Sequence, residues 1–264
     1  MRHLHSTLIQ GLIVSLIFLH SCTPASQESS DRQLSTNPNP AAEGFNKEAS
    51  DSTAIAIADK VMEAMGGREA WDKTRYISWT FFGRRDLVWD KYTGDVQITI
   101  PDKDLRIVTN VNKGGGKAWG NELEFIETDT LNYLLDMGKS IWINDSYWLV
   151  MPYKLKDSGV TLHYAGERQS TEGKPSYVLD LTFDGVGDTP QNRYEVLVDT
   201  NTYLVTEWAF YATAQDTTAA FSTPWSDYKQ YGRILLSGNR GKNKLDNIFV
   251  QDSLEHDPFT VVDP

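Results

Sequence analysis

From residue 76 onward the chain alternates. Ile77, Trp79 and Phe81 fall on one side of a two-residue period, with Ser78 and Thr80 on the other. Leu87 and Trp89 repeat the pattern, as do Val96, Ile98 and Ile100, then Leu105, Ile107 and Val111. Gly83-Arg84, Thr93-Gly94 and Pro101-Asp102 separate these runs. Alternation bounded by turn residues marks half-buried strands, and consecutive short runs of it predict an antiparallel meander. The glycine-rich stretch 113–117 reads as a hairpin tip. Further runs at 147–153, 161–165, 176–183, 193–198, 203–211, 226–234 and 247–254 bring the expectation to about eleven strands. No strand–helix–strand alternation occurs, so a parallel sheet is not expected.

Two stretches follow a helical period instead. Ile57, Val61 and Met65 recur every four residues after Asp51-Ser52, which can cap a helix, and Gly66-Gly67 can end it. A short helical turn at 68–73 carries Trp71. Leu131, Leu134 and Leu135 predict a second helix at 130–137, capped by Asp129 or Thr130, with Gly138 near its end as a hinge. Asn144-Asp145-Ser146 reads as a turn between Trp142 and Tyr147-Trp148.

The first residues have another character. Arg2, His3 and His5 precede an apolar stretch from Leu8 to Leu19, too short to span a bilayer. Charged start, short apolar core and small residue form the layout of a secretory signal. Leu19-His20-Ser21-Cys22 resembles a bacterial lipobox, which implies lipidation at Cys22, the only cysteine of 264 residues. Residues 22–50 are polar, with Leu34 and Phe45 their only large apolar side chains, and read as a flexible tether. The expected organisation is a signal at 1–21, a tether at 22–50 and one domain at 51–264.

Charge and chemistry narrow the function. The formal net charge is -11 and falls to -12 once residues 1–21, with Arg2, are removed. An acidic chain is a poor electrostatic partner for nucleic acid. His163 and His256 alone survive that removal and are far apart, so no zinc site is expected, nor any other cofactor. Ser158 and His163 stand in no GxSxG setting, and no catalytic motif rises above background, so an enzyme is not expected. Glu122, Glu124, Glu127 and Asp129 read as a solvated acidic face, and 237–244 as a solvated basic hairpin turn.

The run Val61-Met62-Glu63-Ala64-Met65-Gly66-Gly67-Arg68-Glu69-Ala70-Trp71, followed by Ile77 and the first strand, resembles the lipoprotein-carrier superfamily typified by LolA and LolB. The stretch 139–152 is similar to segments of uncharacterised Bacteroidota lipoproteins that share this fold. The resemblance covers residues 53–255. It implies a mainly β, α+β fold: an open antiparallel half-barrel with helices on its concave face and an apolar cavity between them. The carrier family's functional arginine has no matching position here.

Trp79, Phe81, Trp89, Ile98, Trp142, Trp148, Trp208 and Phe210 are the candidate residues for contact with a hydrophobic or lipid-like ligand. The expected protein is an envelope lipoprotein, in the outer membrane, held to it by the N-terminal lipid. The alternative is a protein with a filled core that docks onto another envelope protein.

Overall fold

The computed structural model describes residues 37–260. The signal, Cys22 and the first part of the expected tether lie outside them. Helix α1 (Ser52–Ala64) buries Ala54, Ile57, Ala58, Val61 and Met62, the face its period predicts. Gly66 and Gly67 have φ of 112° and 89° and turn the chain into α2 (Arg68–Lys73). Positive φ is cheap only for glycine, so the Gly-Gly pair ends the first helix and opens the second.

Among the described residues fourteen strands follow, where about eleven were expected, all paired antiparallel. They are β1 (Tyr76–Phe81), β2 (Arg85–Asp90), β3 (Asp95–Ile100), β4 (Leu105–Asn110), β5 (Gly116–Gly120), β6 (Leu123–Glu124), β7 (Val160–Gln169), β8 (Pro175–Phe183), β9 (Arg193–Asp199), β10 (Val205–Tyr211), β11 (Phe221–Pro224), β12 (Ser226–Tyr231), β13 (Ile234–Arg240) and β14 (Asn243–Gln251). They form two sheets rather than one. The nine-stranded sheet runs β12-β13-β14-β1-β2-β3-β4-β5-β6, the five-stranded one β11-β10-β9-β8-β7, and neither closes on itself. The chain passes from one sheet to the other at Trp225, which is 1% exposed. Its N–H donates to Thr206 O at 2.7 Å, extending the β10–β11 ladder up to the crossing.

The long helix α3 (Thr128–Val150) corrects three expectations at once. Residues 147–150 are helical and 151–154 a 3-10 turn, so no strand forms there. Asn144-Asp145-Ser146 is not a turn but part of the helix. Gly138 lies mid-helix and is no hinge. A Cβ placed on it would meet Ile107 Cγ2 at 2.9 Å, so glycine here lets the helix settle close on the sheet. The cap is Glu127, whose carboxylate accepts from Asp129 N at 3.0 Å and Thr130 N at 2.7 Å.

Residues 37–50 are not a loose tether. Ala42 N donates to Lys156 O at 3.0 Å, Asn46 N to Val160 O at 3.0 Å, and Gly159 N to Gly44 O at 2.8 Å. Phe45 packs on the core. The buried Lys156 ammonium binds Asn39 O and the Asp59 carboxylate. Polar composition conceals this strap because backbone hydrogen bonds, not apolar area, hold most of it. A chain starting at residue 51 is therefore expected to melt below one starting at residue 37. Lys156 would lose the Asn39 carbonyl and keep only Asp59, and a hydrogen bond to a charged group contributes about 1.5–3 kcal/mol. Equal melting temperatures would show that the strap stabilises nothing.

Within 237–244 the exposed hairpin turn is confined to its second half, and 237–240 belong to β13 with Ser237 and Arg240 buried. Only Gly241-Lys242 forms the loop, between the paired Arg240 and Asn243. Arg240 is 3% exposed and lies over Trp225 at 3.4 Å. It donates to Trp148 O at 2.7 Å, which fastens the last turn of α3.

Candidate functional site

The second half of α3 meets the five-stranded sheet through aromatic contacts but does not cover it completely. Between them lies a partly open cleft of about 470 Å³, within the ~300–1,000 Å³ range of small-molecule sites. Trp142, Tyr147 and Trp148 from α3 form one wall; Phe183, Tyr194 and Trp208 from β8, β9 and β10 form the other. Strand alternation and cross-strand pairing place the three sheet residues side by side: Tyr194 pairs with Phe210, next on the same face to Trp208.

The rings of the wall contact one another. Tyr194 stacks on Trp208 at 4.9 Å with 17° between planes. Trp148 meets Trp208 edge-on at 4.7 Å, and Tyr147 lies 5.8 Å from Trp208 and 6.3 Å from Phe183. Offset and edge-on contacts of this kind stabilise the wall beyond its buried area. Polar residues also line the cleft: the Lys154–Asp157 ion pair, Asn144, Ser158, Asp188 and Thr189. Burial raises the Tyr147 hydroxyl well above its ordinary pKa, with Tyr194 and Asp157 adding to the shift. Burial also raises Tyr194. Both phenols are therefore neutral at physiological pH.

Of the eight candidate residues, the structure brings Trp142, Trp148 and Trp208 to this cleft. Three others back them. Trp89 meets Trp142 edge-on at 5.2 Å, Phe81 meets Trp148 at 6.5 Å, and Phe210 lies 5.4 Å from Tyr194. Trp79 and Ile98 belong to the filled core, 1% and 0% exposed. Under the first half of α3, where the cavity was expected, Leu134, Leu135 and Gly138 fill the space above Ile98 and Ile107. Tyr147, Phe183 and Tyr194 were missed. Phe183 closes the run at 176–183, where it alternates with Tyr177, Leu179 and Leu181, but no local signal pairs it with α3.

The hydrolase-like pair does not form. His163 is exposed on β7, with Nδ1 3.5 Å from Asp51 Oδ2, and no hydrogen bond joins it to Ser158. Among the described residues no group of three or more His, Cys, Asp or Glu is placed to hold a metal ion. No helix among them is long and apolar enough to cross a membrane.

No family model and no curated protein matches the sequence. Solved structures do. The chain is similar to a DUF1329 family protein from Desulfovibrio piger, at 14% identity over 76% of this chain and 95% of that one, TM-score 0.42. It is similar to a LolA superfamily protein from Nitrosomonas europaea, at 11% identity over 79% and 97%, TM-score 0.39. Likenesses this distant carry no functional argument.

Proposed function

We propose that this protein is a LolA-like envelope lipoprotein, anchored in the outer membrane through Cys22, that holds a hydrophobic or lipid-like ligand in the aromatic cleft. The observation that carries the reading is the cleft itself: a cavity of about 470 Å³ lined by six aromatic side chains, with polar residues among the rest of its lining. Ligand sites are concave and mainly apolar, with a few placed polar groups. A ligand surrounded by these rings leaves water along most of its length, gaining about 0.8 kcal/mol per buried methylene.

Native mass spectrometry of the protein purified from its own cells tests anchor and ligand together. The expected spectrum shows acyl mass on the N-terminal peptide beginning at Cys22 and a non-covalent lipid-sized adduct on the folded chain. An unmodified Cys22 would remove the anchor. A ligand-free chain that also takes up no apolar probe would remove the ligand. The second reading, docking onto another envelope protein, draws on Leu123, Ile126 and Tyr133, which are 74%, 86% and 68% exposed.

A further inference from the structure

The loop at 184–192 joins β8 to β9, and Val186, Gly187, Asp188 and Thr189 in it line the cleft. Its two ends are tied. Asp184 N donates to Gly159 O at 2.8 Å. Asn192 N donates to Thr189 O at 3.1 Å, and Asn192 Nδ2 to Thr189 Oγ1 at 2.6 Å. Between these ties, residues 185–188 make no hydrogen bond with any described residue. Gly185 and Gly187 have φ of 63° and 73°, and a Cβ on either would meet nothing within 4 Å. Glycine has the widest backbone freedom of any residue, so the chain can rotate on both flanks of Val186.

One apolar contact holds this span. A Cβ placed on Gly159 would lie 2.6 Å from Val186 Cγ1 and 2.7 Å from Cγ2, so Val186 sits directly on that glycine. The seat is as firm as the span is loose. Gly159 N donates to Gly44 O at 2.8 Å, Asn46 Nδ2 to Gly159 O at 3.3 Å, and Asn46 N to Val160 O at 3.0 Å. On either side of the seat, Ser158 and Val160 line the same cleft. A segment with few apolar contacts and no backbone hydrogen bonds opens at little cost while its surroundings stay folded.

We propose that residues 185–188 are a gate on the cleft and that Val186, seated on Gly159, is its latch. The proposal rests on the cleft being a ligand site. Swinging the span about Gly185 and Gly187 lifts Val186 off its seat and widens the cleft along the border it shares with 158–160. No bond within β8 or β9 has to break. A ligand enters while the gate is open, and the latch re-forms once it is inside. Val186 therefore sets how fast a ligand passes rather than how tightly it is held, and the rates of entry and exit change together.

Stopped-flow fluorescence of N-phenyl-1-naphthylamine, an apolar probe that brightens on leaving water, tests this on the full chain. Val186→Ser removes the two methyl groups that rest on Gly159. It is expected to leave the melting temperature nearly unchanged, since the loop carries little of the core. It should raise the association and dissociation rate constants alike, about three- to tenfold, and leave Kd within about twofold. Val186→Ala lacks the same two methyl groups and adds no hydroxyl, so it should behave as Val186→Ser does. If the original chain does not bind the probe, the ligand-site reading falls and the gate with it. If the probe binds and neither variant changes its rates, the site stands and the latch is wrong. Faster exit with unchanged entry would make Val186 a wall of the bound site, which overturns the gate. A steep fall in melting temperature in both variants would place Val186 in the core and overturn the gate as well.

Discussion

Arg85→Met is expected to cost about 3–5 kcal/mol of stability at neutral pH. Asp145 is fully buried on the inner face of α3, and Arg85 holds it with two bonds, Nε to Oδ2 at 2.7 Å and Nη2 to Oδ1 at 2.9 Å. Asn144 Nδ2 adds a third at 2.8 Å. Removing the guanidinium strands a carboxylate in the core, which is worse than having neither charge. The double variant Arg85→Met with Asp145→Leu should therefore recover most of the loss. Urea unfolding of the four species in a double-mutant cycle measures this directly. A double variant as unstable as Arg85→Met alone would mean that the pair is not what holds α3 to β2.

The same pair predicts a pH dependence. Burial raises the Asp145 pKa above its ordinary value, while the bonds from Arg85 and Asn144 oppose the rise. A carboxyl raised on folding binds its proton more tightly in the native chain than in the unfolded one. Its contribution to stability therefore grows as pH falls through the folded pKa, down to the unfolded value near 3.8. Without Arg85 the rise is larger. The deficit of Arg85→Met should accordingly shrink in mild acid relative to the original chain. Carboxylates such as Glu127, held low by hydrogen bonds from Thr130, and Asp252, held low by Arg233, lose stability in acid. They do so in both proteins and cancel in the difference.

Asp145 also explains what the sequence concealed. The first helices, the Gly-Gly break and strands β1 to β4 are legible because their apolar residues keep a clean period and their turns carry glycine or proline. The inner face of α3 keeps its period just as strictly: Leu134, Leu135, Gly138, Asp145, Ser146, Leu149 and Val150 are buried along it. Glycine and aspartate occupy two of those places, each for a tertiary reason: Gly138 for close approach to Ile107, Asp145 for Arg85, 60 residues away in sequence. A reading of local hydrophobicity sees a break at each and ends the helix early. The cleft shifts for the same reason. Its α3 wall, Trp142, Tyr147 and Trp148, exists only because the helix runs on past Gly138. Trp142, Trp148 and Trp208 were legible as large aromatics suited to a cavity, but which sheet they would meet depends on a chain crossing at Trp225 that no local pattern announces.

Trp208 and Trp79 separate the cleft from the core. Both are 1% exposed, and alanine at either is expected to cost about 3–5 kcal/mol. Their neighbours differ. Trp208 touches Tyr194, Trp148 and Trp225 at 4.9, 4.7 and 5.4 Å, and it lines the cavity. Trp79 pairs across the strands with Leu87 and lines no part of the cleft. In conditions where both variants remain folded, Trp208→Ala should weaken an apolar probe about two- to tenfold, since it removes a ring face worth roughly 0.5–1.5 kcal/mol. Trp79→Ala should leave the probe unchanged. Matched urea midpoints with diverging probe titrations are the signature of a binding wall built into the fold. If probe affinity falls equally in the two, the probe reports stability alone, and the six rings around the cleft are simply core.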